Sequence, residues 1–190
     1  PRRRDPRVVR DAVNGRLPED VRVLAVEEVA PDFHARFDAG WKEYLYRWSR
    51  AEVIAPRDRP FVARISARAD LGRMREAARI VPGERDFRIF AVAPPAGETT
   101  VRNLHAITVR EQGAELQALF RGDGFLRGMV RSICGVLSDM ARGRVPPDRM
   151  TRPLETGDRG LLCHKAAAQG LTLCRVFYEP AAFRRANIGP

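Results

Sequence analysis

Gly128, Arg131 and Gly135 are spaced by three and four residues, so in a helix they share one face. The run around them, residues 124–141, reads as the longest helix of the chain, with Leu126, Met129, Val130, Ile133 and Leu137 as its apolar side. A glycine inside a helix costs about 1 kcal/mol against alanine. Two of them beside an arginine make sense where another backbone or a ligand must come close. Arg131 then projects into a tight site and needs an anion, either a carboxylate or a phosphate. The alternative is a solvated surface charge beside two tolerated glycines. A second cluster lies in residues 33–48, which read as extended chain. There Lys42, Tyr44, Tyr46 and Trp48 fall on one face and Glu43, Leu45 and Arg47 on the other. Aromatic rings with a cation among them form a surface on which unpaired bases stack while phosphates are reached. Aromatic residues on one strand face are also the usual mark of a core. Phe33-His34-Ala35-Arg36-Phe37, just before the strand, mixes apolar and cationic residues in the same way.

The elements that must position these side chains follow from local signals. Pro6 opens a short helix over residues 6–14, which Gly15 closes. Residues 21–29 alternate enough to read as a strand, and Pro31-Asp32 separates them from the aromatic run. Ala55–Pro60, with two prolines, reads as a hinge between two subdomains. Asp70 caps a helix that buries Leu71, Met74, Ala77, Ala78 and Val81 and stops at Pro82-Gly83. Residues 104–110 and 115–121 form a hairpin about residues 111–114, and Leu171–Tyr178 is a last apolar strand. Helices interleaved with an antiparallel hairpin predict an α+β protein, helices on one sheet face, in a ferredoxin-like layout. The expected division is 1–54, 55–180 and a tail at 181–190.

Composition narrows the partners. The 190 residues are 44% hydrophobic and 31% charged, the balance of a globular chain. Apolar stretches are broken by arginine or glycine well short of a bilayer span, and no apolar segment follows the basic start as in a secretory signal. Net charge is +10, and of 34 basic residues only Lys42 and Lys165 are lysine. Such a balance points to a polyanion, nucleic acid before membrane, without choosing RNA over DNA. Cys134, Cys163 and Cys174 lack metal-ligand spacing. They read as reduced thiols of a cytoplasmic protein, packed as small hydrophobes rather than around zinc with His34, His105 and His164.

Five segments resemble one family in its own order. Asn14 to Val21 is similar to the N-x-x-L-P-x-D-I segment of the TruA-type tRNA pseudouridine synthases. Phe33-His34-Ala35-Arg36-Phe37 with Lys42-Glu43-Tyr44-Leu45-Tyr46 resembles their F-H-A-R-F…K-x-Y-x-Y signature. Gly83-Glu84-Arg85-Asp86-Phe87 resembles G-x-H-D-F, with Arg85 in place of histidine. Residues 124–135 resemble the G-F-L-x-x-M-V-R-x-x-x-G helix. Ala166–Leu171 resembles A-P-A-x-G-L, with Ala167 in place of proline. The resemblance implies two α+β halves around an RNA cleft, usually in a homodimer. It also implies isomerisation of uridines in the tRNA anticodon arm to pseudouridine, with no cofactor and no metal. Tyr44 is then the ring that stacks on or shields the flipped base, and Arg131 the partner of the catalytic aspartate. Arg36, Lys42 and Arg127 are assigned to the tRNA backbone from charge and position.

The family's aspartate lies in a G-R-T-D-x-G-V-H motif N-terminal to the matched segments, and no such motif occurs among these residues. Asp38, Asp86 and Asp123 read as cap or turn residues. The expectation is therefore a fragment of a synthase, inactive alone, with an open sheet edge and poor solubility. The rival readings are a non-catalytic tRNA-binding protein or one half of a split synthase.

Overall fold

Tyr46 and Trp48 sit on the strand that organises the sheet. In the computed structural model, which describes residues 4–93, 97, 99–146, 148–158 and 164–178, that strand is β1 (Ala39–Ser49). Two compact units are present: residues 4–39 with Tyr178, and Gly40–Phe177.

In the first unit, helix α1 (Pro6–Asn14) starts where Asp5 accepts a hydrogen bond from the Arg7 N–H at 2.8 Å. Residues 21–29 are not a strand. The Asn14 side-chain amide binds both backbone groups of Val23, donating to its carbonyl at 2.9 Å and accepting from its N–H at 2.8 Å, so neither is free for a ladder. Residues 33–37 are not extended either. They turn around His34, whose N–H donates to Asp38 at 2.7 Å and whose carbonyl accepts from Phe37. The Tyr178 hydroxyl donates to Ala35 at 2.8 Å, and its ring packs against Phe33.

The second unit contains β2 (Ala63–Arg64), α2 (Leu71–Ile80), β3 (Gly83–Asp86), β4 (Val101–Gln112), β5 (Glu115–Gly122), α3 (Met129–Ala141), α4 (Asp148–Thr156) and β6 (Leu171–Tyr178, all but its last residue). The sheet runs β2-β1-β5-β4-β3, and β6 also pairs with β1. The order of chain β1-α2-β4-β5-α3-β6, with neighbours β6-β1-β5-β4, is the ferredoxin-like arrangement that the sequence predicts. The Ala55–Pro60 turn joins β1 to β2, two strands of that one sheet.

The core lies between the helices and the face of the sheet formed by Tyr46, Trp48, Leu104, Ile107, Val109, Leu116, Ala118 and Phe120. An irregularity between Leu104 and Ala106 switches the buried parity of β4 from even to odd residues, which keeps Leu104, Ile107 and Val109 all inward. Asp70 caps α2 as expected, accepting from the N–H groups of Gly72 and Arg73, and Met74, Ala77, Ala78 and Val81 are buried. The hairpin turn is tighter than predicted, only Gly113-Ala114 lying between the strands. The other sheet face is polar. Arg47 reaches Glu115 at 2.6 Å, Arg110 reaches Gln117 at 3.0 Å, and Arg121 reaches the buried carboxylate of Glu43 at 2.5 Å.

Helix α3 differs most from expectation, beginning at Met129 rather than Gly124. Gly128 has φ +82°, a left-handed conformation that ends the preceding turn and starts the helix. Leu126 is buried but lies before the helix. Cys134 is buried as expected, Cys174 is exposed, and Cys163 lies outside the described residues. The 181–190 tail does too.

Candidate active-site cavity

The N-terminal end of α3 and the middle of β1 meet around a cavity of about 300 Å³, lined by Tyr44, Val92, Arg127, Arg131, Lys165 and Leu171 among others. Gly128 shapes its rim: a Cβ there would stand 2.7 Å from Val92 Cγ2, so the left-handed turn and the close approach both require glycine. Val92 is itself tied to this turn, its N–H donating to the Arg127 carbonyl at 2.7 Å.

Tyr44 is half-buried, its ring edge-on to Phe125 with 4.9 Å between centroids. Burial raises its phenol above the ordinary value, so it is a neutral hydroxyl at physiological pH. Its strand neighbours at even positions behave differently. Tyr46 and Trp48 are core residues packed on each other, which leaves Tyr44 as the one stacking ring of the predicted face. Desolvation also pushes the Tyr46 phenol far up, and its hydroxyl donates to the Ala167 carbonyl at 2.7 Å.

Arg131 lies at the wall of the cavity in the first turn of α3. Its Nε donates to the Ala166 carbonyl at 2.8 Å, and its own carbonyl accepts from the Ala166 N–H at 2.9 Å. Among the described residues the guanidinium has no ion pair, so its terminal NH groups are available to an anion. The segment that fixes it passes over α3 at Gly135, where a Cβ would fall on the His164 carbonyl oxygen. The two glycines thus have separate reasons: Gly128 shapes the rim, and Gly135 admits a second backbone. Ala167 has φ −57°, the value that a proline ring would fix, so the substitution at this position keeps the local geometry.

The structure brings Tyr44, Arg127 and Arg131 to one cavity. Lys42 is on the same strand but does not line it, and Arg36, exposed on its turn with its guanidinium over Phe37, belongs to the other unit. Lys165 was missed. The signal available was its rarity, one of two lysines in an arginine-rich chain, directly before the Ala166–Leu171 stretch. The three candidate aspartates have local duties. Asp38 and Asp123 accept backbone N–H bonds from His34 and Asn103. Asp86 accepts from the Thr100 hydroxyl at 2.6 Å and the Arg88 N–H at 2.8 Å, and the Thr100 bond above all holds its carboxyl below the usual range.

Residues 77–179 match the family model described as tRNA pseudouridine synthase. The chain is 41% identical over 164 residues to tRNA pseudouridine synthase A of Listeria innocua, covering 85% of this chain and 66% of that protein. It is 35% identical over 176 residues to the enzyme of the same name from Chlamydia trachomatis, covering 93% and 66%. For that of Limosilactobacillus fermentum the figures are 38% over 179 residues, 93% and 69%. The chain therefore spans about two thirds of the length of these relatives. On the family-model match and these identities, the chain belongs to the tRNA pseudouridine synthase family.

Proposed function

We propose that, in a protein of its relatives' length, the cavity beside Tyr44 and Arg131 takes a uridine flipped out of the anticodon arm of tRNA and isomerises it to pseudouridine. The bond from C1′ to N1 breaks, the base turns, and C1′ rejoins through C5; N1 gains a proton and the C5 hydrogen leaves to solvent. A carboxylate initiates this by attacking C1′ or by removing a ribose proton. The observation that carries the reading is Arg131, held by Ala166 at the cavity wall with its terminal NH groups unpaired among the described residues. In this reading it holds that carboxylate, which the family's Gly-Arg-Thr-Asp motif supplies. Tyr44 stacks on or shields the base, and Arg36, Lys42, Arg127 and Lys165 hold the RNA backbone.

The enzyme works as a cytoplasmic homodimer and uses neither cofactor nor metal. No helix among the described residues is long and apolar enough to cross a membrane.

The test joins this chain to an N-terminal segment of a family member that carries the Gly-Arg-Thr-Asp motif and supplies anticodon stem-loop RNA tritiated at uridine C5. Release of tritium is expected. RNA bound tightly with no release overturns the catalytic reading in favour of a non-catalytic RNA binder. In the same fusion Tyr44→Phe is expected to leave RNA affinity within about twofold while slowing turnover about 100-fold, the lower end of the range in which a positioned acid or base contributes. Near-normal turnover would remove the hydroxyl's role and leave only stacking. For the chain itself, Arg127→Ala and Lys165→Ala are each expected to weaken RNA binding. Each lowers the slope of log K against log salt by about 0.7 to 0.9, the release of one phosphate contact. A slope unchanged in both variants takes these side chains off the RNA backbone.

A further inference from the structure

Asp139 is a buried carboxylate that the proposed chemistry does not use. Its side chain is 6% exposed near the C-terminal end of α3, among Val136, Met140 and other core residues. Among the described residues one oxygen, Oδ1, has no hydrogen bond, and its charge is met only by the guanidinium groups of Arg144 at 3.5 Å and Arg142 at 3.8 Å. The other, Oδ2, is 3.1 Å from His164 Nδ1. A carboxylate in such a place is costly, and an apolar residue of similar size serves a helix–core contact at least as well. Its use must lie in what it holds.

His164 begins the segment that reaches Arg131. Arg131, Gly135 and Asp139 are four residues apart and form one stripe along α3. The segment lies along that stripe in the opposite direction. His164 meets Asp139, the His164 carbonyl passes over Gly135, and Ala166 exchanges two hydrogen bonds with Arg131. Beyond Ala166 the Tyr46 hydroxyl holds the Ala167 carbonyl. The position of the Ala166 carbonyl, and with it the direction of the Arg131 guanidinium, is therefore set from both sides: by Tyr46 after it and by the Asp139–His164 contact before it. We propose that Asp139 and His164 are positioning residues for Arg131, acting through the 164–167 segment. The catalytic meaning rests on the function proposed above; the geometric statement does not.

The experiment uses the 190-residue chain and reads hydrogen exchange at the Arg131 side-chain Nε–H by NMR, its signal identified as the one lost in Arg131→Lys. In the unaltered chain this proton exchanges slowly, because it is bonded to Ala166. His164→Leu removes only the half-exposed end of the contact and is expected to leave the thermal melt nearly unchanged while exchange accelerates at least about tenfold, a local opening rather than a global one. Asp139→Leu is expected to do the same. His164→Asn presents an amide N–H close to where Nδ1 stands and is expected to retain slow exchange. If exchange in His164→Leu stays within about twofold of the unaltered chain, the positioning role is overturned. In the fusion protein His164→Leu is expected to lower kcat with KM retained. A fusion inactive in every form, together with accelerated exchange in His164→Leu, overturns the proposed function and leaves the positioning role standing.

Discussion

Arg131→Ala in the fusion with the Asp-bearing segment is expected to lower kcat at least about 100-fold while RNA affinity changes by no more than about threefold, since misplacing a reacting group by about 1 Å is enough for that loss. The reason is positional as well as electrostatic. The guanidinium has one donor fixed on the Ala166 carbonyl, and in the function proposed above its others hold a carboxylate, an arrangement that depends on the planar fork. Arg131→Lys keeps the charge but has a single donor centre, so it must give up either Ala166 or the carboxylate. It is expected to recover little of the loss. Tritium release from C5 against RNA concentration separates kcat from KM. A variant whose KM rises about 100-fold at unchanged kcat would place Arg131 on the RNA backbone instead, as a uniform binding contact.

The second large effect is on folding. In a helix interior Gly→Ala ordinarily stabilises by about 1 kcal/mol. At Gly135 the sign reverses, because the new methyl would occupy the place of the His164 carbonyl oxygen. That neighbour is backbone, held on either side by the Asp139–His164 contact and by Ala166 on Arg131, and cannot rotate away. Overpacking of this kind costs about 1 to 3 kcal/mol and sometimes more. A net destabilisation of about 2 kcal/mol lowers the Tm of a chain of this length by about 4 to 8 °C. Gly128→Ala carries two costs, a left-handed φ worth about 1 to 2 kcal/mol and a 2.7 Å approach to Val92 Cγ2, so its Tm should fall by a comparable amount. The same Gly135 variant should also lose RNA isomerisation in the fusion, since lifting the segment takes the Ala166 carbonyl from Arg131. Calorimetry of the two variants beside the unaltered chain checks both falls. A Gly135→Ala melt at or above the original temperature would mean that the 164–168 segment does not lie on α3.

Where an element carries its own signals, the sequence is enough to read it. The Pro6 start of α1, the Asp70 cap, the buried stripe of α2, the hairpin and the last strand all come from local chemistry, and they suffice to predict an α+β sheet with helices on one face. Arg131 is found twice, by its spacing from Gly135 and by its motif. Elements whose fate depends on a distant partner are not legible. Residues 21–29 alternate as a strand would, yet the Asn14 side chain takes the backbone of Val23, and no local pattern announces that bond. The aromatic face of β1 reads the same whether it meets bases or helices. Only the packing of α2 and α3 separates Tyr46 and Trp48, which are core, from Tyr44, which opens on a cavity.

The start of α3 could not be read either, because whether Gly128 is helical depends on Val92, brought there by a different part of the chain. The bed that fixes Arg131 is likewise non-local: Ala166 is 35 residues away in the chain. Sequence by itself thus determined which residue types are available and which short elements form, since these rest on propensity, capping and periodicity within a few residues. Tertiary structure decided which of those residues share a cavity and which way they point, because hydrogen bonds and close packing between distant segments set the direction of a side chain.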